Sequence, residues 1–351
     1  QRQNRVFAAQ RTLTLLLHTV MSAILIMENK NIMYVGLWAA EFAFYLIFIK
    51  VYQACYKGLS KLVLNNMMMC MMVGFVILGR LASDYAVHQI ILAAAAMVLC
   101  IFVPLIIEKF RILEKMGWYF AAIGIVFLML VFVIGVEKYG SRNWISVGGI
   151  AIQPSEFVKL AFIFVGAATL DKLQSTRSLT KYILFSFACV GFLFLMYDLG
   201  AALIFFVTFL MMAFMRSGDI RTLIAVCLVA LAGAAFIVIF KGDYVAQRFA
   251  AYRHVWEYSD GKGFQQTRVL VYMASGGLFG VGIGAGKLKN VFAATTDLVF
   301  GVLCEEWGLL LGIVVLLCFV GVTAYAVQCA PACRSSFYAI AACAAAGMML
   351  F

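Results

Sequence analysis

Charged residues are scarce in this chain, and their scarcity excludes a water-soluble fold. Asp, Glu, Lys and Arg together make up 12% of the 351 residues, whereas 65% of the residues are hydrophobic. A typical soluble domain carries about 25% charged residues and about 45–50% apolar residues. Because no water-soluble fold could bury this much apolar surface, lipid must be the solvent. Long polar stretches are also lacking, so the sequence offers no linker, and we expect one membrane domain.

Histidine is scarce as well, and the three histidines are too far apart in the sequence to form a metal-binding pattern. The ten cysteines lie nearly all inside or next to apolar runs. Cys329 and Cys333 form a C-x3-C pattern, for which idle reduced thiols are favoured over a metal site. Basic residues exceed acidic ones, 27 against 16, but they sit in short loops between apolar runs. This placement reflects membrane topology and not binding to nucleic acid.

Apolar runs of membrane-spanning length recur along the whole chain. A helix needs about 20 apolar residues to cross a hydrocarbon core of about 30 Å. Because backbone polar groups cannot stay unpaired in lipid, each run is predicted to be helical. The sequence therefore predicts an all-α, polytopic transmembrane helical bundle. The eleven candidate spans are residues 13–28, 31–54, 62–81, 86–107, 116–136, 156–172, 180–197, 199–215, 220–240, 297–328 and 336–351.

The distribution of basic residues predicts a cytoplasmic N-terminus. With the N-terminus inside, fifteen Lys and Arg residues lie in inner segments. Only four lie in the short outer loops, and these are Lys30, Arg80, Lys138 and Arg142. Such an excess of basic residues marks the cytoplasmic side. Two segments, 137–155 and 241–296, then lie outside and are too elaborate for plain connectors.

A glycine-rich run lies in the second of these segments. The sequence GGLFGVGIGAG at 276–286 contains six glycines in eleven positions. No βαβ pattern surrounds it, so a dinucleotide-binding loop is excluded. The run instead permits close backbone packing or a re-entrant turn, which membrane depth tolerates only inside protein or beside a cavity. We therefore expect an irregular or re-entrant outer loop here.

Ionisable residues in or beside apolar spans are costly, so they tend to be paired or functional. Glu156 and Lys159 are three residues apart and share one helix face, where a salt bridge and a functional role both remain open. Glu41 lies in the middle of a span and is expected to pair with a neighbouring helix. Asp84 lies close in sequence to Arg80, and a local ion pair between them is the simplest expectation.

Further acids gather near the predicted outer surface. Since several basic residues lie close to them, they suggest a polar cavity that opens outward and suits an amphipathic lipid with a charged head group. For the acids of segment 241–296, a solvated charged loop is the simplest expectation from the residues alone. The acids concerned are Asp198, Glu257, Asp260, Asp297, Glu305 and Glu306.

The segment GSRNWISVGGIAIQPSEFVK at 140–159 resembles the SEDS family of shape, elongation, division and sporulation proteins, the RodA/FtsW/SpoVE type. That family carries a G-x-R-x-W-I…QPSE-x-x-K signature after a span. Asp198-Leu199-Gly200 is similar to the family's QPDLGT. The stretches DGKGFQ…SGGLFGVGIGAG (260–286) and TTDLVFGVLCEEWG (295–308) resemble two further family motifs. Together the matches cover roughly residues 62–351.

Some positions depart from the family pattern. The loop between Asp260 and Gln265 is shorter than usual and lacks a proline, and Arg268 occupies a position that is often Gln. The family's C-terminal element is missing, and the chain begins with Gln1 and stops inside an apolar run, so we expect a piece of a longer protein. The resemblance divides the chain into an N-terminal extension with two extra helices, 1–61, and a SEDS-like core, 62–351, truncated before its last helix.

The resemblance implies an inverting peptidoglycan glycosyltransferase in the bacterial cytoplasmic membrane, with its active site facing outward. The implied substrate is lipid II, a disaccharide-pentapeptide on undecaprenyl diphosphate, which membrane lipid surrounds. A class B penicillin-binding protein is the implied partner, and no nucleic acid is expected. A divalent cation, Mg²⁺ or Mn²⁺, is the one cofactor that the resemblance leaves open, and no organic cofactor is expected.

Asp260 matches the family's catalytic aspartate, so the resemblance implies that it is the general base, with cation binding as an alternative role. Arg142 and Lys159 are the first candidates for holding the diphosphate, and Arg253 and Arg268 are weaker ones. Glu156 is expected to orient Lys159. The remaining substrate-binding candidates, which would line or shape the cavity, are Trp144, Gln153, Ser155, Asp198, Gln265, Asp297 and Glu306.

Two other functions remain open from the residues alone. A lipid II flippase would also use intramembrane charges and a central cavity, but its polar residues should be spread along the path and not gathered at one face. A scaffold for division or elongation proteins would explain the topology, although it gives no reason for charges inside spans.

Overall fold

The structure, a computed structural model, describes residues 2–109, 116–138, 141–147, 150–171, 176–217, 220–221, 224, 227–228, 231, 254–261, 263–333 and 335–351. Most of these residues are helical, and six helices in these ranges are long and apolar enough to cross a membrane. The predicted all-α polytopic bundle is therefore confirmed, and the chain is a multi-pass membrane protein. The predicted span at 220–240 lies mostly outside the described residues.

The regular elements follow the apolar runs closely, with polar residues at several of their starts. Asn31 and Ser60 accept backbone N–H groups from the first turns of their helices, and Pro154 opens another helix at a position where its missing N–H costs nothing. The elements are α1 (Arg2–Asn29), α2 (Ile32–Cys55), α3 (Lys61–Leu81), α4 (Ser83–Lys109), α5 (Gly117–Ile134), β1 (Val136–Lys138), β2 (Ser141–Val147), β3 (Ile150–Ile152), α6 (Pro154–Asp171), α7 (Thr176–Leu195), α8 (Leu199–Ser217), α9 (Phe264–Gly276), α10 (Val299–Trp307), α11 (Leu309–Cys329) and α12 (Ser336–Leu350).

The chain divides into two compact units. In the first unit, α1 packs against α2 and α3, and α9 and α10 pack against each other. One core of this unit joins Met21 and Leu25 of α1 to Val76 of α3 and to Val302 of α10. The first unit comprises Gln1–Leu105 with Ile237–Val322, and the second comprises Ile106–Phe236 with Thr323–Phe351.

Polar contacts join the N-terminal helix to its neighbours in the first unit. The Nε2 atom of Gln10 donates to the side-chain oxygen of Asn66 over 2.7 Å. Deeper in the bundle, His18 Nε2 lies 2.7 Å from Glu41 Oε2, and both side chains are almost fully buried. The expectation that Glu41 pairs with a neighbouring helix is thus confirmed. Because polar groups inside a bundle need partners, these contacts select one packing of α1 and α2.

The second unit is a helical cluster built around aromatic side chains. Helices α5, α6, α7, α8 and α12 pack around Phe162, Tyr182, Phe205 and Phe337, all of which are essentially inaccessible to solvent. The rings of Phe162 and Phe205 meet edge to face with centroids 4.9 Å apart. This cluster packs α6 against α8, and several predicted site residues lie at the starts of these two helices.

The segment 137–155, predicted to be more than a connector, contributes a small antiparallel sheet of order β1-β2-β3. Val136 is opposite Trp144 in the first pair, and Ile145 is opposite Ile152 in the second. The sheet joins α5 to α6, and it was not predicted because its strands are short and show no clear alternation of apolar and polar residues.

The span predicted at 297–328 is not one helix. It is divided into α10 and α11 at Gly308, whose φ angle of 89° lies in the left-handed region. Composition alone does not reveal such a break, because a single glycine does not by itself end a helix in an otherwise apolar run. The break matters for function because it places Glu305 and Glu306 at the end of a short helix and not inside a long one.

Candidate active site

In the second unit, the side chain of Asn143 lies at the centre of a polar network. Asn143 is fully buried on β2, and its Nδ2 atom donates to Ser155 Oγ over 2.9 Å and also to Asp198 Oδ2. Gln153 Nε2 donates to the same Asp198 oxygen over 3.3 Å. Three predicted site residues, Gln153, Ser155 and Asp198, are therefore brought together by a residue that the sequence analysis did not select.

Asp198 also closes the start of α8. Its Oδ1 atom accepts the backbone N–H of Ala201 over 3.0 Å, which is the usual N-cap geometry. The preceding residue, Tyr197, has a φ of 61°, which a non-glycine residue adopts at a cost in free energy. Since both carboxylate oxygens accept hydrogen bonds, Asp198 connects the α7–α8 turn to β2 and to Gln153, which lies directly before α6.

Arg142 and Lys159 are the cationic candidates of the second unit. Arg142 is exposed on β2, with its Nε atom donating to the Gly135 carbonyl over 2.9 Å. Lys159 Nζ lies 2.7 Å from Glu156 Oε1, so the salt bridge that the sequence left open for this pair is present. Trp144, between them in sequence, is half-buried. Besides Nε, a guanidinium carries two terminal nitrogens, whose fork of N–H groups suits an anion.

In the first unit, Asp260 is exposed on a series of turns directly before α9. The backbone is closely packed at Gly263, which is buried. A Cβ at that position would lie 2.6 Å from the Val255 carbonyl oxygen, so the turns require glycine there. Thr267 donates from its hydroxyl to the Gly263 carbonyl over 2.9 Å, which completes the first turn of α9. Asp260 lies next to Gly261, whose N–H donates to the Tyr258 carbonyl over 3.0 Å. Arg253 lies outside the described residues.

Two other candidates lie on α9. Gln265 Nε2 donates to the Phe292 carbonyl over 3.0 Å, so it connects α9 to the loop before α10. The guanidinium of Arg268 lies 5.1 Å from the centre of the Phe264 ring, in cation–π range. Asp297 is exposed after a turn in which Ala293 has a φ of 64°.

The glycine run wraps around the break between α10 and α11. The backbone N–H groups of Val281 and Gly282 donate to the carbonyls of Glu305 and Glu306, over 2.9 and 3.1 Å. The N–H of Leu309, at the start of α11, donates to the Gly277 carbonyl over 3.0 Å. Backbone groups that the break would leave unpaired are thereby satisfied, as a broken helix at membrane depth requires.

The two adjacent glutamates of α10 have different surroundings. Glu305 accepts the backbone N–H groups of Lys287 and Leu288 over 2.7 and 2.9 Å. The side chain of Glu306 is only 1% exposed, and its Oε1 lies 3.5 Å from Arg80 Nη2. The expected ion pair between Arg80 and Asp84 is therefore wrong. Arg80 pairs with Glu306 instead, because a buried carboxylate is strongly destabilised without an opposite charge, whereas the exposed Asp84 is solvated.

The candidates fall into two groups, one in each unit. Within the described ranges, no group of three or more His, Cys, Asp or Glu side chains could hold a metal ion. That the two groups face one cavity stays a prediction. Asp260, Gln265, Arg268, Asp297 and Glu306 belong to the first unit, and Arg142, Trp144, Gln153, Ser155, Glu156, Lys159 and Asp198 belong to the second.

These features define a class of protein: a polytopic helical membrane protein with a short sheet between two helices and a glycine-lined helix break. The model of the FtsW/RodA/SpoVE family, described as cell cycle proteins, matches residues 59–351, and the chain belongs to this family.

Two curated relatives are 34% identical to the chain. They are stage V sporulation protein E of Bacillus subtilis, over 206 residues, and a probable peptidoglycan glycosyltransferase FtsW of Coxiella burnetii, over 221 residues. The matches cover 56% and 59% of the chain and the same shares of the relatives, so the chain spans less than two thirds of their length.

Two solved structures share the fold. A structure of a peptidoglycan synthase complex, concerned with polymerization and crosslinking, matches with a TM-score of 0.66 at 24% identity over 84% of both chains. A mutant of the rod shape determining protein RodA of Thermus thermophilus matches with a TM-score of 0.60 at 23% identity, over 84% of this chain and 83% of that one. At these identities the likeness is one of fold alone.

Proposed function

We propose that this protein is a peptidoglycan glycosyltransferase that polymerises lipid II into glycan strands. Its family membership and the names of its relatives support the reaction, and the exposure of Asp260 is the observation that carries the assignment of a base. Two other acids of the first unit are engaged: Glu305 accepts two backbone N–H groups, and Glu306 lies buried beside Arg80. Asp260, by contrast, is exposed, so its carboxylate can meet a substrate.

The proposed reaction transfers a glycan chain between lipid carriers. The carboxylate of Asp260 takes the proton from the 4-hydroxyl of one disaccharide, and that oxygen attacks the anomeric carbon of the other glycan from the side opposite the diphosphate. A glycosidic C–O bond forms, the bond between the anomeric carbon and the diphosphate oxygen breaks, and undecaprenyl diphosphate leaves. The anomeric configuration is inverted.

Cationic side chains are needed where negative charge develops on the departing diphosphate. Arg142 suits this role because its guanidinium is exposed and can bind two phosphate oxygens at once. Lys159 supplies a second charge, and Glu156 orients it over 2.7 Å. We place Trp144, Gln153 and Ser155 at the wall of the same cavity, with Asp198 holding that wall in shape through Asn143.

A divalent cation remains part of the proposal. Asp260 offers an exposed carboxylate, and oxygen ligands are what Mg²⁺ and Mn²⁺ prefer, so a cation held mainly by the diphosphate would fit here. Bound there, the cation would neutralise charge on the leaving group, while the protein's own residues bind and orient the substrate.

The test of the base is an assay of lipid II polymerisation in detergent. We expect Asp260→Ala and Asp260→Asn to lower kcat by about 10²–10⁴-fold, the usual contribution of general acid–base catalysis. Glu257→Ala is the matched control, because Glu257 is an exposed acid of the same turns and pairs with His254. If Asp260→Ala forms glycan as fast as the parent protein, the assignment of the base is wrong.

The same assay separates the alternatives. Detergent provides no bilayer to cross, so a flippase would make no glycan in it, and neither would a scaffold. The comparisons do not favour a flippase, since the FtsW relatives carry the name of a glycosyltransferase. We further propose that the site faces outward from the bacterial cytoplasmic membrane, and that a class B penicillin-binding protein crosslinks the product, as the synthase complex of similar fold suggests.

A further inference from the structure

We propose that Arg80 is a positioning residue, which acts through Glu306 to hold the glycine run in the shape that presents Asp260. The inference rests on the proposed function, in which Asp260 is the base. The glycine run and Asp260 belong to the same structural unit and are joined by one helix, α9. Neither Arg80 nor Glu306 is proposed to touch the reacting atoms.

The first argument is the burial of the pair. The side chains of Arg80 and Glu306 are 13% and 1% exposed, with Arg80 Nη2 and Glu306 Oε1 3.5 Å apart. Among the described residues, neither carboxylate oxygen of Glu306 makes a hydrogen bond of normal geometry, and the same is true of Arg80 Nε. Arg80 is the one ion-pair partner of Glu306 among the described residues, and a buried carboxylate without a partner is strongly unfavourable.

The second argument is how closely the glycine run follows Glu306. The N–H of Gly282 donates to the Glu306 carbonyl over 3.1 Å, and a Cβ at Gly280 would collide with that carbonyl. A Cβ at Gly286 would lie 2.7 Å from Glu306 Cγ. Since three glycines of the run lie directly against this one residue, a shift of Glu306 must move the run.

The third argument is the path from the run to the proposed base. The run begins at the end of α9, and the first turn of α9 begins three residues after Asp260 at Gly263. In addition, Gln265 of α9 donates to the Phe292 carbonyl in the loop before α10. A displaced glycine run would therefore shift α9 and, with it, the turn that carries Asp260.

The experiment compares Arg80→Gln, Glu306→Gln and the double variant in the lipid II polymerisation assay. We expect each single variant to lower kcat by about tenfold or more with little change in KM, and the double variant to be no slower than the worse single one, because the two residues act as a unit. Arg80→Lys keeps the charge and should recover part of the loss. Asp84→Asn is the matched control, since Asp84 is exposed in the adjacent turn.

A second measurement does not depend on activity. Hydrogen exchange of the Val281 and Gly282 amides, which donate to α10, should become faster in Arg80→Gln and return towards the parent rate in Arg80→Lys. If Arg80→Gln fails to fold, the double variant and Arg80→Lys decide the question, because neither leaves a buried charge alone.

The outcomes separate the two ideas. Additive losses in the double variant, a change confined to KM, or unchanged amide exchange in Arg80→Gln would each overturn the positioning role. If the parent protein and Asp84→Asn both make no glycan, the proposed function fails, while the exchange rates still decide whether Arg80 holds the glycine run.

Discussion

The single side chain of Asn143 connects the starts of two helices. It donates to both Ser155 and Asp198, which belong to two different helix starts, and it is fully buried while doing so. A buried polar side chain is stabilising only when its partners are present, so the three residues depend on one another. Its neighbours Arg142 and Trp144 match fixed positions of the family signature, whereas Asn143 occupies an unspecified position of it.

Replacing Asn143 with Ala should destabilise the second unit. The change removes donors from Ser155 and Asp198, and a buried acceptor left without a partner costs about 1–3 kcal/mol. Thermal unfolding in detergent would measure the loss. Ser146→Ala, at an exposed position of the same strand, should change stability by less than about 0.5 kcal/mol. Equal unfolding temperatures for the two variants would contradict the network role.

At the scale of elements, the break between α10 and α11 is the feature with most consequence. Gly308 has a φ of 89°, and a Cβ there would collide with the Leu278 carbonyl and lie 2.6 Å from the Gly280 nitrogen. Both the backbone conformation and the close approach therefore require glycine. The break allows the glycine run to lie against the end of α10, which a continuous helix would prevent.

Gly308→Ala is expected to destabilise the protein by about 1–3 kcal/mol from backbone strain, with a further cost from the collision. Gly36→Ala provides the control, because a Cβ at Gly36 in α2 would meet nothing within 4 Å. In a helix interior that change should be neutral or stabilising by about 0.5–1 kcal/mol. Denaturation in detergent would compare the two, and a tolerated Gly308→Ala would argue against the break.

At the scale of the whole molecule, orientation in the membrane remains a proposal that the distribution of basic residues supports. The short outer loops have four Lys or Arg residues against fifteen in the inner segments. Glu137, between α5 and α6, should therefore face outward, and Gly58, between α2 and α3, should face the cytoplasm.

Cysteine labelling tests this orientation. A membrane-impermeant maleimide added to intact cells should label Glu137→Cys above the background of the parent protein. Gly58→Cys should be labelled only after the membrane is opened. The position has room for a side chain, because a Cβ there would meet nothing within 4 Å. The reverse pattern would invert the topology and place the proposed site on the wrong side for an extracytoplasmic substrate.

The sequence by itself determined that lipid surrounds this protein and that it is a polytopic helical membrane protein. The reason is that the free energy of placing an apolar run in lipid depends on local composition alone. Helix positions followed for the same reason. The tertiary structure alone decided which charges pair and where an apolar run breaks. Arg80 pairs with Glu306 and not with Asp84, and the predicted span 297–328 is divided at Gly308. The pairing and the break depend on contacts between residues distant in the chain. The energies of such contacts cannot be derived from a local stretch of sequence.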